Sequence, residues 1–143
     1  MRDIQMVLER YGAWAANEGA GVYYSPIAGG FKGLLPPTGK SRPVCCDDDG
    51  LIVNSAVACL KKKDPYLSTL LEWNYIHRIP VRTIGDKLGI SHTQVLKRLQ
   101  AAEGFIDGCL AALNVPLEMD RYCQKENVYP PAMKKLVEFQ KAG

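Results

Sequence analysis

The chain has 143 residues, 47% of them apolar and 23% charged, enough to bury a core without metal or disulfide staples and too much for wholesale disorder. No run approaches the ~18 consecutive apolar residues of a membrane-spanning helix, so no membrane partner is expected. The net charge of +3 is mild, yet Ile76 to Gln100 carries Arg78, Arg82, Lys87, Lys97 and Arg98 against one anion, Asp86. Acidic residues gather instead at Asp47, Asp48 and Asp49 and at Glu103, Glu118 and Asp120. A local basic face on a near-neutral chain suits specific nucleic-acid contact, although a solvated helix surface gives the same pattern.

In chain order, Ile4, Val7, Leu8, Tyr11, Trp14 and Ala15 recur at three and four and predict an amphipathic helix ending near Asn17 or Gly19. This start is charged and not an apolar leader, so no secretory signal is expected. Residues 17–44 are dense in punctuators, with Gly19, Gly21, Gly29, Gly30, Gly33 and Gly39 among Pro26, Pro36, Pro37 and Pro43. Val22, Tyr23, Tyr24, Ile27, Phe31, Leu34 and Leu35 make that stretch too apolar for a plain linker. It reads as a long loop wrapped over the body or an arm ordered on binding, with Lys32, Lys40 and Arg42 adding positive charge.

A second helix is expected from Asp47-Asp48-Asp49, with Asp as the cap and Lys61-Lys62-Lys63 at the favourable end. Three consecutive carboxylates on a helix diverge by ~100° each, so capping fits them better than a Mg²⁺ site for nuclease chemistry. Asp64-Pro65 is a further start signal, with Leu67, Leu70, Leu71, Asn74 and Tyr75 tracing a helix to about His77 before Pro80 breaks it. The five cysteines, at 45, 46, 59, 109 and 123, are odd in number and lack C-x-x-C spacing. They fit reduced thiols of a cytoplasmic protein, with no metal site and no cofactor.

Residues 80–103 have the order of a helix-turn-helix. A first helix from Val81 to Leu88 buries Ile84 and Leu88, and Gly85 is small where a second helix must cross. Gly89 supplies a left-handed turn, Ile90 plugs it, and Ser91 caps the next helix. Val95, Leu99 and Ala102 form the buried stripe of that helix. His92, Thr93, Gln94, Lys97 and Arg98 are left outside near its start, the residue types that address base edges in the major groove. Thr83 and Lys87 are placed to hold phosphates, and Ser91, the cap, is counted with the DNA-binding residues. A purely structural helical hairpin is the plain alternative. The apolar stripe runs on through Phe105, Ile106, Cys109, Leu110 and Leu113, so the second helix is expected to reach about Leu113.

The turn resembles region 4 of bacterial sigma factors. Over most of its length the chain resembles the phage antitermination protein Q family of the lambdoid late-gene type. The resemblance is carried by Arg10-Tyr11-Gly12-Ala13-Trp14-Ala15, by Ser41-Arg42-Pro43 leading into Cys46-Asp47-Asp48-Asp49, by the segment Lys97 to Gly104, and by Leu117 to Tyr122. It implies a protein that binds a double-stranded DNA element at a late promoter and engages the paused RNA polymerase holoenzyme with its sigma factor. Such a protein then travels with the enzyme through pauses and terminators, in at least one branch by narrowing the RNA exit channel around the nascent RNA. Some members carry a cysteine-rich zinc element; the missing C-x-x-C places this chain with the zinc-free branch.

The expected architecture is mainly α: a compact helical DNA-binding body over 1–125 and a C-terminal tail over 126–143, where Pro130-Pro131 precedes a short amphipathic segment. An ordinary helix-turn-helix regulator and a phage packaging or recombination accessory factor need the same DNA module and stay open. An enzyme is not expected, because the sequence shows no nucleophile pair, no phosphate-binding glycine loop and no separated carboxylates.

Overall fold

The computed structural model describes residues 1–18, 42–126 and 130–133. The bulk of the Gly/Pro-rich stretch read as a loop or arm, and most of the C-terminal tail, lie outside the described residues. Those described are mainly helical, and no helix among them is long and apolar enough to cross a membrane.

Helix α1 (Ile4–Glu18) buries Val7, Leu8, Tyr11, Trp14 and Ala15, the stripe spaced for one helix face. Helix α2 (Asp47–Lys63) has three aspartates in its first turn and three lysines in its last, both matched to the helix dipole. The capping expectation needs correction here. Cys46 occupies the N-cap without a side-chain capping bond, and the aspartates sit one step further in, where Asp47 and Asp49 reach tertiary partners and Asp48 faces solvent. Helix α3 (Pro65–Leu71) starts as its sequence dictates, with Pro65 in the first turn and the Asp64 carboxylate accepting from the Leu67 N–H at 3.3 Å.

The helix expected to run on to His77 changes character. Over Glu72–Ile76 it widens into a π-helical turn, closed by the His77 N–H donating to the Glu72 carbonyl at 3.2 Å. α1 crosses against this turn so closely that a Cβ on Gly12 would overlap the Tyr75 carbonyl. After Pro80 come α4 (Val81–Leu88) and α5 (His92–Ala112), then a 3₁₀ turn at Glu118–Arg121.

Two apolar clusters result. The larger joins α1 and α2 to Leu71, Tyr75 and Ile76, to the second half of α5 through Ala102, Ile106 and Leu110, and to Leu117, Met119 and Cys123. The smaller gathers Leu70, Ile79 and Ile84 around Val95 and Leu99 of the first half of α5, with Trp73, Val81, Leu88 and Ile90 packed on it. α5 is therefore common to both. At their junction Glu103 is buried; the Tyr75 hydroxyl donates to its Oε2 at 2.9 Å and Gln5 Nε2 to its Oε1 at 3.2 Å. Burial, then the Glu103 charge, pushes the Tyr75 phenol well above its ordinary range.

The two ends of the described body are clasped. Arg2 grips Asp120 with two bonds, Nε to Oδ1 at 2.7 Å and Nη2 to Oδ2 at 2.9 Å, and Nη2 also donates to the Val115 carbonyl at 3.0 Å. Backbone bonds run beside it, from the Asp3 N–H to the Cys123 carbonyl and from the Lys125 N–H to the Met1 carbonyl. The Arg2 guanidinium holds the Asp120 carboxyl below its usual range.

Two outcomes follow from this packing. Gly12→Ala should cost about 1–3 kcal/mol in denaturant unfolding, because backbone must move to admit the methyl group. A carboxyl with a depressed folded-state pKa contributes stability above its unfolded value, and that contribution is lost as pH falls through and below about 4. Asp120→Asn should therefore be less stable than the parent at neutral pH, and the difference should shrink on acidification.

Candidate nucleic-acid interface

α4 and α5 meet through a three-residue turn, and each residue there has a physical reason. α4 ends on Gly89, whose φ of 72° lies in the left-handed region that a side chain disfavours. The Ile90 N–H donates to the Gly85 carbonyl at 3.0 Å, and a Cβ on Gly85 would stand 2.8 Å from the Ile90 carbonyl oxygen, so only glycine lets the turn fold back this closely. Ser91 caps α5, its hydroxyl accepting from the Gln94 N–H at 3.3 Å. Ile84, Val95 and Leu99 close the seam between the two helices.

With Val95, Leu99 and Ala102 turned inward, the first three turns of α5 expose the rest. His92, Thr93, Gln94, Lys97 and Arg98 are all solvent-facing, as is Ser91 before them. The helix does not present them equally. Thr93, Lys97 and Gln100 recur at three and four on the side away from the core, with Gln94 beside them. His92 and Leu96 lie on one flank; on the other, the Arg98 guanidinium rests over the Tyr66 ring of α3 at 5.1 Å. Gln100 and the exposed Leu96 were not among the residues singled out from sequence, though three-and-four spacing from Thr93 reaches Gln100 and four-residue spacing from His92 reaches Leu96. On α4, Lys87 is exposed and Thr83 half-buried. The exposed face from His92 to Gln100 carries no carboxylate.

The aspartates of α2 do something else. Asp47 Oδ1 accepts from Trp14 Nε1 at 2.9 Å. Asp49 is buried and receives the Glu118 and Met119 N–H groups on its two oxygens, each at 2.9 Å, which fixes the start of the 3₁₀ turn. Asp48 faces solvent. The three carboxylates thus serve separate places and do not converge.

Comparison with known proteins decides the family. The model for phage antitermination protein Q matches residues 1–118. The chain is 48% identical over 126 residues to the antitermination protein Q of Escherichia phage 933W, covering 88% of each chain. The chain belongs to the phage antitermination protein Q family. It is also 49% identical over 127 residues to the prophage antitermination protein Q homolog QuuD of Escherichia coli (strain K12), covering 89% of this chain and 100% of that one. Among solved structures, transcription antitermination factor Q21 superposes with a TM-score of 0.55 at 20% identity, over 78% of this chain and 89% of that one, which establishes a shared fold. The chain is thus of the phage transcription antitermination class, whose members act in late gene expression.

The aspartate geometry has a direct check. Asp49→Asn puts an amide donor against a backbone donor and should cost about 1.5–3 kcal/mol of stability, whereas Asp48→Ala should stay within about 0.5 kcal/mol of the parent.

Proposed function

We propose that this protein is a DNA-loaded antiterminator. α4 and α5 act as a helix-turn-helix that binds a double-stranded DNA element at a phage late promoter. From there the protein engages the paused RNA polymerase holoenzyme, sigma factor included, and makes it read through pauses and terminators. The observation that supports this best is the face of α5: Thr93, Gln94 and Lys97 stand on the exposed start of a helix held in both cores, in a chain of the antitermination protein Q family.

The roles divide by chemistry. Gln94 offers the paired donor and acceptor that match an adenine edge, Lys97 donates to guanine, and Thr93 meets a thymine methyl or a phosphate. Arg98, stacked on Tyr66, is pre-oriented at the edge of the footprint, and His92 and Ser91 lie where the helix start approaches the backbone. Thr83 and Lys87 of α4 position the duplex through phosphates without reading sequence. Narrowing of the RNA exit channel, with α1 and the segment after it near polymerase or nascent RNA, is the mode of action we assign to the travelling complex.

In vitro transcription on a late-promoter template with a downstream terminator tests this. Readthrough should rise on adding the protein and should require the upstream DNA element; an effect confined to initiation would favour an ordinary regulator. Gln94→Ala should lose about 1–3 kcal/mol of binding at one base position and leave other positions as they were. Lys87→Ala should weaken all duplexes alike and flatten the salt dependence by about one phosphate contact.

A further inference from the structure

A second basic feature lies outside the α4–α5 face. A cleft of about 410 Å³ separates α1 from the strap that leads into α4, and Glu9, Arg10, Arg42, Tyr75, Arg78 and Pro80 are among its lining residues. Three arginines there face one carboxylate. Arg10 is partly engaged, its guanidinium standing over the Tyr122 ring at 5.6 Å. Arg42 spends Nη1 on the Tyr75 carbonyl at 3.4 Å, while its Nη2 is buried without a hydrogen-bond acceptor. Burial, then the charge of Arg78, makes the Arg42 guanidinium easier to deprotonate, and Glu9 opposes this. Two cations thus repel each other across the cleft, and no carboxylate among the described residues forms an ion pair with either.

The backbone contributes as well. Arg78 has a φ of 57°, a left-handed conformation that costs a non-glycine residue about 1–3 kcal/mol. Two residues on, Pro80 lines the cleft and is the N-cap of α4 with no side-chain acceptor, so no side chain caps the first N–H groups of that helix. A cleft lined by three arginines against one carboxylate, beside a helix start that no side chain caps, suits a tetrahedral anion.

We propose that this cleft holds a backbone phosphate of duplex DNA, flanking the bases faced by α5. The inference rests on the DNA-binding reading above. α4 has eight residues, so about 12 Å separates its start from the turn before α5, a reach that keeps both on one duplex. The occupant is a diester and not a base edge, because no α5 residue lines the cleft and contacts outside the base-facing helix go to the duplex backbone.

The full chain, titrated by anisotropy into two fluorescein-labelled 30-base-pair duplexes of unrelated sequence at several salt concentrations, tests it. Arg42→Gln/Arg78→Gln should bind both duplexes roughly tenfold more weakly at 0.1 M salt and lower the slope of log K against log salt by about 1–2. Arg78→Gln alone, at an exposed position, should give part of that effect and guards against a folding defect, which circular dichroism would show. An unchanged slope in both variants, with Lys97→Ala still weakening binding, overturns the cleft and leaves the α5 reading intact. Failure of the parent to bind any duplex overturns both. Weakened capture of RNA polymerase with unaltered DNA binding would overturn the phosphate in favour of an acidic protein surface.

Discussion

One continuous helix sets the terms for the rest of the molecule. α5 has 21 residues and is about 31 Å long, and its inner stripe belongs first to the small cluster around Val95 and Leu99 and then to the large one around Ile106 and Leu110. Either cluster alone is modest. Joined through one helix, they cannot rotate against each other without breaking α5. The exposed turns at its start are therefore held in a fixed relation to α1 and α2, and the face they present inherits the rigidity of the whole body. The three-residue turn before α5 needs little stability of its own, because Ile84 and Ile90 only have to seat a helix that the large cluster already positions.

Polar contacts finish what the apolar clusters begin. Asp49 gathers the 3₁₀ turn onto α2, and the Arg2–Asp120 pair draws the segment after α5 back to the start of α1. Both act where Leu117, Met119 and Cys123 join the large cluster, and they fix the chain path between those side chains. Each carboxylate also receives backbone N–H groups that burial would leave unsatisfied, and the Leu117 N–H on Asp120 at 2.8 Å is one such bond.

Much of this was legible in the residues. The bounds of α4, the left-handed Gly89, the Ser91 cap and the inner stripe of α5 each follow from one local rule, and the rules agree in register. Asp64-Pro65 announced α3 for the same reason. What was not legible depends on distant partners. Nothing near Asp49 in sequence names Glu118 as its counterpart, so a buried tether reads as a cap. The π-helical turn at Glu72–Ile76 has an ordinary helical composition, and only the crossing of α1 at Gly12 shows what the widened turn accommodates. Equal weighting of His92 and Arg98 with Lys97 failed to anticipate Tyr66, which comes from another helix and claims the Arg98 face. The cleft between Arg42 and Arg78 joins residues 36 apart that share no pattern at all.

The buried Glu103 shows why the junction between the clusters is polar when an apolar side chain would fill it. A carboxylate taken out of water adds little net stability even when well bonded. It does restrict the arrangements that satisfy it. The Tyr75 hydroxyl comes from the π-helical turn and the Gln5 amide from α1, and both must meet Glu103 at one level along α5. A slip of α5 by a single turn would carry the carboxylate about 5.4 Å away from both donors and strand it in an apolar setting. A leucine at that position would tolerate the slip, since one apolar neighbour serves about as well as another. Glu103 therefore fixes the register of α5 against α1 and the π-helical turn, and with it the distance between the exposed start of α5 and the arginine cleft beside Tyr75.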